Sequence, residues 1–363
     1  MPELNPQPLS ASKPIERKSA PAAPIGVGLV GLGFMGATHI KACRQIDGCR
    51  IAALCNPSGR NLDGDFSNVT GNIGSDDPLQ LDMSRVAAYR SFADLLADPG
   101  VQLVDICSPT NSHPDLAVAA LRAGKHVICE KPLARTSAAA RAIADAAAGA
   151  PTFLMPAMCM RFWPEWAWVK NAITEQTFGR CLAARFRRVS EPPAWGRKFF
   201  FDGNLSGGAL FDLHIHDSDF VQFCFGRPHV VYSTGFSKVS GAIDHVVTQY
   251  QVVSGASVSA EGSWAMSKGF GFSMTYTVVF EKATADFDLA RGTDALKLYE
   301  DGMDARVVRP EGKDGYVEEL RHMIECIRNR KRPTVVTPED GVSAVEICEA
   351  EERSAKSGQS VSL

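Results

Sequence analysis

The 363-residue chain has no apolar run approaching the ~18 residues of a membrane-crossing helix. Its ten cysteines (43, 49, 55, 107, 129, 159, 181, 224, 326 and 348) include no Cys-x-x-Cys pair, which argues against a zinc site and against a disulfide framework. Cys107 and Cys129 fall inside apolar runs, where a thiol behaves as a small hydrophobe. A reducing compartment, the cytoplasm, is therefore expected. Basic charge is not in excess: 38 Lys and Arg stand against 41 Asp and Glu, a formal net charge of −3. With no dense basic run, neither nucleic acid nor a membrane is expected as a partner. The stretch from Met1 to Pro24 is rich in Pro, Ala and Ser and lacks the apolar core of a secretory signal. It is expected to be a disordered tail.

What the chain does contain is a soluble globular composition, 45% hydrophobic and 22% charged, at a length sufficient for two domains. From Ile25 strands and helices alternate. The apolar strand Ile25–Val30 enters Gly31-Leu32-Gly33-Phe34-Met35-Gly36, and helical character follows from Ala37. Gly31 suits a tight turn, Gly33 a close approach of backbone to a pyrophosphate, and Gly36 close packing of helix on strand. Phe34 and Met35 lie at the helix start, where free N–H groups favour an anion.

The second strand, Arg50–Cys55, ends at Asn56, where a carboxylate reading the adenosine ribose is usual in an NAD enzyme. Without that carboxylate, and with Ser58 and Arg60 nearby, the residues lean slightly from NAD toward NADP. Residues 61–85 should hold a crossover helix, but Gly64, Gly71, Gly74 and Pro78 interrupt it. A long loop is expected instead, covering the adenosine end of the cofactor or lying idle on the surface. Val86–Tyr89, helix Phe92–Ala97 behind Ser91, strand Val101–Cys107 and helix Pro114–Ala123 continue the pattern. Two strand ends are rich in polar groups. One is Ser108 to His113; the other is Glu130-Lys131-Pro132, which closes the run His126–Cys129. Open α/β sheets bind ligands at such strand ends, and proline gives Lys131 an extended backbone.

Beyond Pro151 the period changes to strands without intervening helices: 180–189, 229–237, 245–253, 257–266, 272–280 and 285–289, with a hairpin turn at 281–284. One large, mostly antiparallel sheet is expected, with one face on helices and the other against a second subunit. A last helix at 339–357 could pack on either domain, and a short apolar strand ends the chain. The fold class is thus an α/β Rossmann domain (25–150) followed by an α+β domain with a large antiparallel sheet (151–363).

In the segment Gly207-Gly208-Ala209-Leu210-Phe211-Asp212-Leu213-His214-Ile215-His216-Asp217-Ser218-Asp219, Asp212 and His216 are four apart. On a helix they share a face, and the carboxylate would orient the imidazole and raise its pKa. Helical geometry scatters Asp212, His214, His216 and Asp217 around the axis, so no metal site is expected. An amphipathic helix with a wet polar side is the plain alternative.

Together, Gly31–Gly36, Pro109-Thr110-Asn111 with His113 and Pro114, Glu130-Lys131-Pro132 and the Gly207–Asp219 segment resemble the Gfo/Idh/MocA oxidoreductases over roughly residues 25 to 360. The resemblance implies hydride transfer between nicotinamide C4 and a carbinol or keto carbon of a sugar, cyclitol or sugar derivative. It implies a catalytic set of Lys131, Asp212 and His216, with His216 exchanging the hydroxyl proton and Lys131 stabilising charge on oxygen. It places Ser108, Thr110, Asn111 and His113 along the cofactor, and gives Glu130 the task of positioning either the cofactor or Lys131. Met160-Arg161-Phe162-Trp163-Pro164 resembles the family's N-x-R-F-x-P turn but lacks its leading polar residue; Arg161 is either a cofactor or substrate contact or a structural ion pair. His214, Arg188 and Trp195 are candidate substrate contacts, and Asp219 a supporting residue. A homodimer or homotetramer through the second sheet is implied. Relatives that keep their nicotinamide through a hydrolase or lyase cycle, and non-catalytic cofactor-binding regulators, are the alternatives.

Overall fold

The computed structural model describes residues 23–71 and 78–363. The amino-terminal tail expected at residues 1–24 therefore lies outside the described residues, except for Ala23 and Pro24, as does the middle of the 61–85 loop.

Six strands form the first sheet: β1 (Ile25–Val30), β2 (Cys49–Cys55), β3 (Ala87–Tyr89), β4 (Leu103–Ile106), β5 (His126–Glu130) and β6 (Leu154–Ala157). All pairs are parallel, in the order β3-β2-β1-β4-β5-β6. The sheet therefore runs past residue 150 to Ala157. The helices are α1 (Phe34–Cys43), α2 (Phe92–Ala97), α3 (His113–Arg122) and α4 (Ser137–Ala148). Because helices cover the sheet, its strands are apolar on both sides: Val27, Leu29, Leu103, Val104, Val127 and Ile128 are fully buried. Each such side chain gains about 1.5–3 kcal/mol from leaving water. Asp105 in β4 breaks this pattern, a buried carboxylate paired with His39 of α1. Strand order reverses between β1 and β4, which opens a crevice at their carboxyl ends.

The described part of 61–85 holds no crossover helix. Asp65 bridges to Gln80, and Phe66 and Leu79 are buried and pin the loop down.

The second sheet has nine strands. They are β7 (Cys181–Ser190), β8 (Val230–Phe236), β9 (His245–Gln251), β10 (Ser257–Ser263), β11 (Phe272–Phe280), β12 (Ala283–Asp288), β13 (Leu296–Glu300), β14 (Arg306–Val308) and β15 (Val361–Ser362), in the order β14-β13-β12-β11-β7-β10-β9-β8-β15. Only β7 and β10 pair in parallel. β13 and β14 extend the sheet beyond the last strand expected from sequence. The remaining helices are α5 (Pro164–Thr174), the short turns α6 (Arg197–Phe200) and α7 (Gly203–Ser206), α8 (Ile215–Phe225), α9 (Gly315–Asn329) and α10 (Pro338–Ser357). Trp166 of α5 anchors the inner face, edge-on to Phe220 at 4.8 Å and to Tyr276 at 5.2 Å. α10 packs on both halves: on α4 of the first and on α8 and β8 of the second. This joins the two sheets around one site.

Candidate active site

The glycine loop builds one end of the site. Gly31 has φ +90°, a left-handed backbone, and a Cβ there would lie 2.5 Å from the Ser108 nitrogen. A Cβ on Gly36 would lie 2.2 Å from the Gly31 carbonyl oxygen, so this glycine lets α1 sit against the loop. At Gly33 a Cβ would meet nothing within 4 Å; the bare backbone faces open space. Gly33 also caps α1 without a side-chain hydrogen bond, which leaves the first N–H groups of the helix free for an anion. These are the features a dinucleotide's pyrophosphate requires, so the residues present fit that group.

From this loop a groove runs over the ends of β2 and β4. Asn56, Ser58 and Arg60 border its far part, with Asn68, Val69 and Thr70 of the long loop opposite, and Ser108 and Thr110 border its middle. Part of the 61–85 loop thus does face the groove. Asn56 spends its side chain within its own turn: its amide donates to the Arg60 carbonyl at 2.9 Å, and its oxygen accepts from the Ser58 hydroxyl at 2.9 Å.

At its other end the groove opens into a chamber between the two sheets. Lys131, Glu130, Asp212, Phe34, Met35 and Trp195 border both spaces. The chamber has a polar end, Lys131, Asp212, His216 and Arg188, and an aromatic wall that includes Trp163, Trp195, Phe200, Trp264 and Phe272. Trp195 bridges the two spaces, its ring edge-on to Phe34 at 6.1 Å.

Asp212 lies in a π turn, Leu210–His214, that runs directly into α8. The paired glycines before it are required. Gly207 and Gly208 have φ +77° and +71°, and a Cβ on Gly208 would lie 2.5 Å from the Ile243 carbonyl oxygen. Such π turns tend to sit at functional sites. Here the Asp212 carbonyl accepts a hydrogen bond from Lys131 Nζ at 2.6 Å, and its carboxylate lies 3.4 Å from the same nitrogen.

The structure corrects several readings made from sequence. The carboxylate of Asp212 does not raise His216. Burial, then the Lys131 and Arg188 cations, hold that imidazole well below its usual value, and its Nδ1 is buried without a hydrogen-bond partner. Burial first, and the Lys131 and Arg188 cations second, thus favour the neutral ring of His216. His214 is fully buried away from the chamber: its Nε2 is 3.2 Å from the Tyr250 hydroxyl, which donates to Glu351 at 2.6 Å. It is therefore no substrate contact. Arg161 is the structural ion pair, not a cofactor contact; it is buried, its Nε and Nη2 bond Asp219 at 2.8 and 2.7 Å, and its Nη1 donates to the Val335 carbonyl at 2.8 Å. Asp219 accordingly supports Arg161 and not His216. His113 is buried beneath the groove, its ring nitrogens 2.9 Å from the Pro132 carbonyl and 2.8 Å from that of Ser108, so it ties two strand ends together without lining the groove. Asn111 is exposed and does not border the groove.

Arg188, by contrast, does reach the chamber, held from behind by Asp217 at 3.0 and 3.3 Å. Besides Trp163, Phe200, Trp264 and Phe272 of the aromatic wall, four more site residues escaped the sequence reading. Tyr316 of α9 lines the chamber, and His39, Asp105 and Glu319 form a buried cluster under Glu130. The available signal was His39 itself, three residues past Gly36 on the buried side of α1.

A groove fitted to a dinucleotide that opens at a lysine into a polar-ended chamber defines a nicotinamide-dependent oxidoreductase. Residues 25–157 match the model of the oxidoreductase family with an NAD-binding Rossmann fold, and residues 166–286 match the GFO/IDH/MocA C-terminal domain. The chain belongs to the Gfo/Idh/MocA oxidoreductases. It is similar to myo-inositol 2-dehydrogenase of Thermotoga maritima, 27% identical over 348 residues that cover 93% of this chain and 98% of the relative. It is also similar to scyllo-inositol 2-dehydrogenase (NAD(+)) of Bacillus subtilis, 25% identical over 92% of this chain and 95% of that one. Among solved structures, levoglucosan dehydrogenase in complex with NADH and L-sorbose shares the fold with a TM-score of 0.79 at 22% identity, over 94% of this chain and 99% of that one.

Proposed function

We propose that this oxidoreductase converts between a carbinol and a ketone on a sugar, cyclitol or sugar derivative, with Lys131, Asp212 and His216 as its catalytic residues. The observation that carries the reading is the meeting of groove and chamber at Lys131 and Asp212. A polyol suits such a chamber: its C–H faces lie on aromatic rings while its hydroxyls meet charged and imidazole groups. The nicotinamide, when bound, supplies the carbon that accepts or returns hydride. Neutral His216 accepts the hydroxyl proton. Lys131, fixed by the Asp212 carbonyl, stabilises the negative charge that grows on the substrate oxygen, in a site largely shielded from water. Arg188 binds a second substrate oxygen, and Trp195 closes over the junction.

Ser58 and Arg60 beside an end of β2 without a carboxylate support a lean toward NADP, whereas the names of the relatives speak for NAD. The outer face of the second sheet supports a homo-oligomer. Tyr232, Phe236 and Val247 lie on its adjacent β8 and β9 and are 46%, 51% and 40% exposed. Ten free cysteines and no helix long and apolar enough to cross a membrane, among the described residues, are in keeping with a cytoplasmic setting. The test is a panel of polyols and keto-sugars read by nicotinamide absorbance. Turnover on several of them is expected, and none on any would contradict the reading.

A further inference from the structure

We propose that His39 is a positioning residue for Lys131, acting through Glu130 as a buried imidazolium; this rests on the role given to Lys131 above. His39 sits on α1 with no exposed surface. Its Nδ1 is 2.9 and 3.0 Å from the two carboxylate oxygens of Asp105. Its Nε2 is 3.2 Å from Glu130 Oε1 and 3.7 Å from Glu319 Oε1. Nδ1 is thus hydrogen-bonded to Asp105, whereas Nε2 faces the oxygens of Glu130 and Glu319 without a well-aligned hydrogen bond. An ionised carboxylate only accepts, so the ring form that suits both sides carries a proton on each nitrogen.

The electrostatics agree with that geometry. Burial, the largest single influence, opposes a charge on His39, but Asp105 and Cys107 together hold the imidazole well above its usual value. Burial likewise pushes against ionised Glu130, while His39 and then Lys131 pull its carboxyl below the usual range. Glu319 is also buried, with neither oxygen hydrogen-bonded, and burial pushes its acid well above the usual range. It faces the ring as a neutral acid. The thiols of Cys107, Cys129 and Cys159 and the hydroxyl of Tyr316, the other titratable groups around His39 and Glu130, are all raised by burial and stay neutral. His39 and Lys131 are therefore the cations that keep Glu130 ionised.

Glu130 passes this on. Its second oxygen accepts the backbone N–H of Lys131 at 3.1 Å, and it borders both groove and chamber. One carboxylate so couples the imidazolium under the sheet to the backbone that aims the lysine. If the proton left His39, Glu130 would lose its first source of stabilisation and would itself take up a proton more readily, weakening its hold on Lys131.

The test compares the wild type with His39→Gln, Glu130→Gln and the double variant, measuring kcat and KM for nicotinamide turnover from acidic to alkaline pH. His39→Gln is expected to lower kcat by about tenfold or more, to move the acid limb of kcat/KM up by about one pH unit, and to leave the nucleotide KM nearly unchanged. Glu130→Gln should cost as much alone as in the double variant. An unmoved acid limb, or losses that multiply in the double variant, would overturn the proposal, since a merely structural histidine would give that result. Nitrogen NMR of the imidazoles in the intact wild type is a second readout that needs no substitution. A His39 ring protonated on both nitrogens at about pH 8, above the ordinary histidine value, is expected, and a neutral ring overturns the inference. A wild type without nicotinamide turnover counts against the function proposed above and leaves the NMR result to decide on His39.

Discussion

Lys131 Nζ lies 2.6 Å from the backbone carbonyl oxygen of Asp212, residues 81 positions apart in sequence. One directly follows β5 and the other lies in the π turn before α8, so this bond fixes the first sheet's ligand edge to the second sheet's chamber. A backbone acceptor holds the ammonium group even if the Asp212 side chain changes. The carboxylate at 3.4 Å is left to tune charge and bind substrate.

Lys131→Ala is therefore expected to lower kcat by about 10²- to 10³-fold, the usual cost of removing one group that stabilises a developing oxyanion. Nucleotide affinity, read by fluorescence titration, should change little, because the groove's phosphate end is built by Gly31 to Gly36. Asp212→Asn, which keeps the carbonyl, should cost less than Lys131→Ala.

His216 gives a signed pH prediction. Its imidazole is held well below the ordinary histidine value, so above about pH 6.5 the group is neutral in folded and unfolded chains alike and adds no pH dependence. Below that, the unfolded chain takes up a proton that the folded site refuses, and stability falls toward the lower folded value. His216→Asn should therefore show a shallower loss of Tm on the acid side, together with a kcat at least about tenfold lower. A Tm difference from wild type that stays constant with pH would contradict this.

The class of site was legible in the residues, and its electrostatics were not. Gly31 and Gly36 have the turn and packing roles their spacing implied, Gly33 leaves its backbone open, and the bounds of Phe272–Phe280 and Phe92–Ala97 agree with the sequence reading. Those features are local: turn chemistry, capping and alternation. His216 was misjudged because its burial and its cationic neighbours, Lys131 just after β5 and Arg188 on β7, are set by the tertiary fold, and no spacing within Gly207–Asp219 reports them. Arg161 and His214 look like site residues in a linear motif, yet each turns to a buried partner, Asp219 or Tyr250. His39 shows the converse. It reads as one more residue of an apolar helix, and only the arrival of β4, β5 and α9 surrounds it with Asp105, Glu130 and Glu319. β13 went unseen because Leu289–Asp294 breaks the strand pattern with a turn around Gly292.

The proposed lean toward NADP rests on Asn56 together with Ser58 and Arg60. Replacing Asn56 with Asp puts a carboxylate where a 2′-phosphate would lie, and repulsion should cut kcat/KM for NADP by about tenfold or more relative to NAD. Paired initial-rate measurements with both nucleotides check this; an unchanged ratio would remove Asn56 from the specificity argument.

The exposed face of β8 and β9 makes its own prediction. Phe236 stacks on His245 at 4.9 Å and stands beside Tyr232 on the outer face. Phe236→Glu with Tyr232→Lys should shift the protein to a smaller species in sedimentation velocity. A wild type that sediments as a monomer would contradict the assembly.

The most direct test follows reduced nicotinamide by absorbance for wild type, Lys131→Ala and His216→Ala, with myo-inositol and related polyols under saturating NAD or NADP. The account predicts turnover by the wild type and a loss of at least about a hundredfold in each variant, with nucleotide still bound. Equal rates in all three proteins would contradict it.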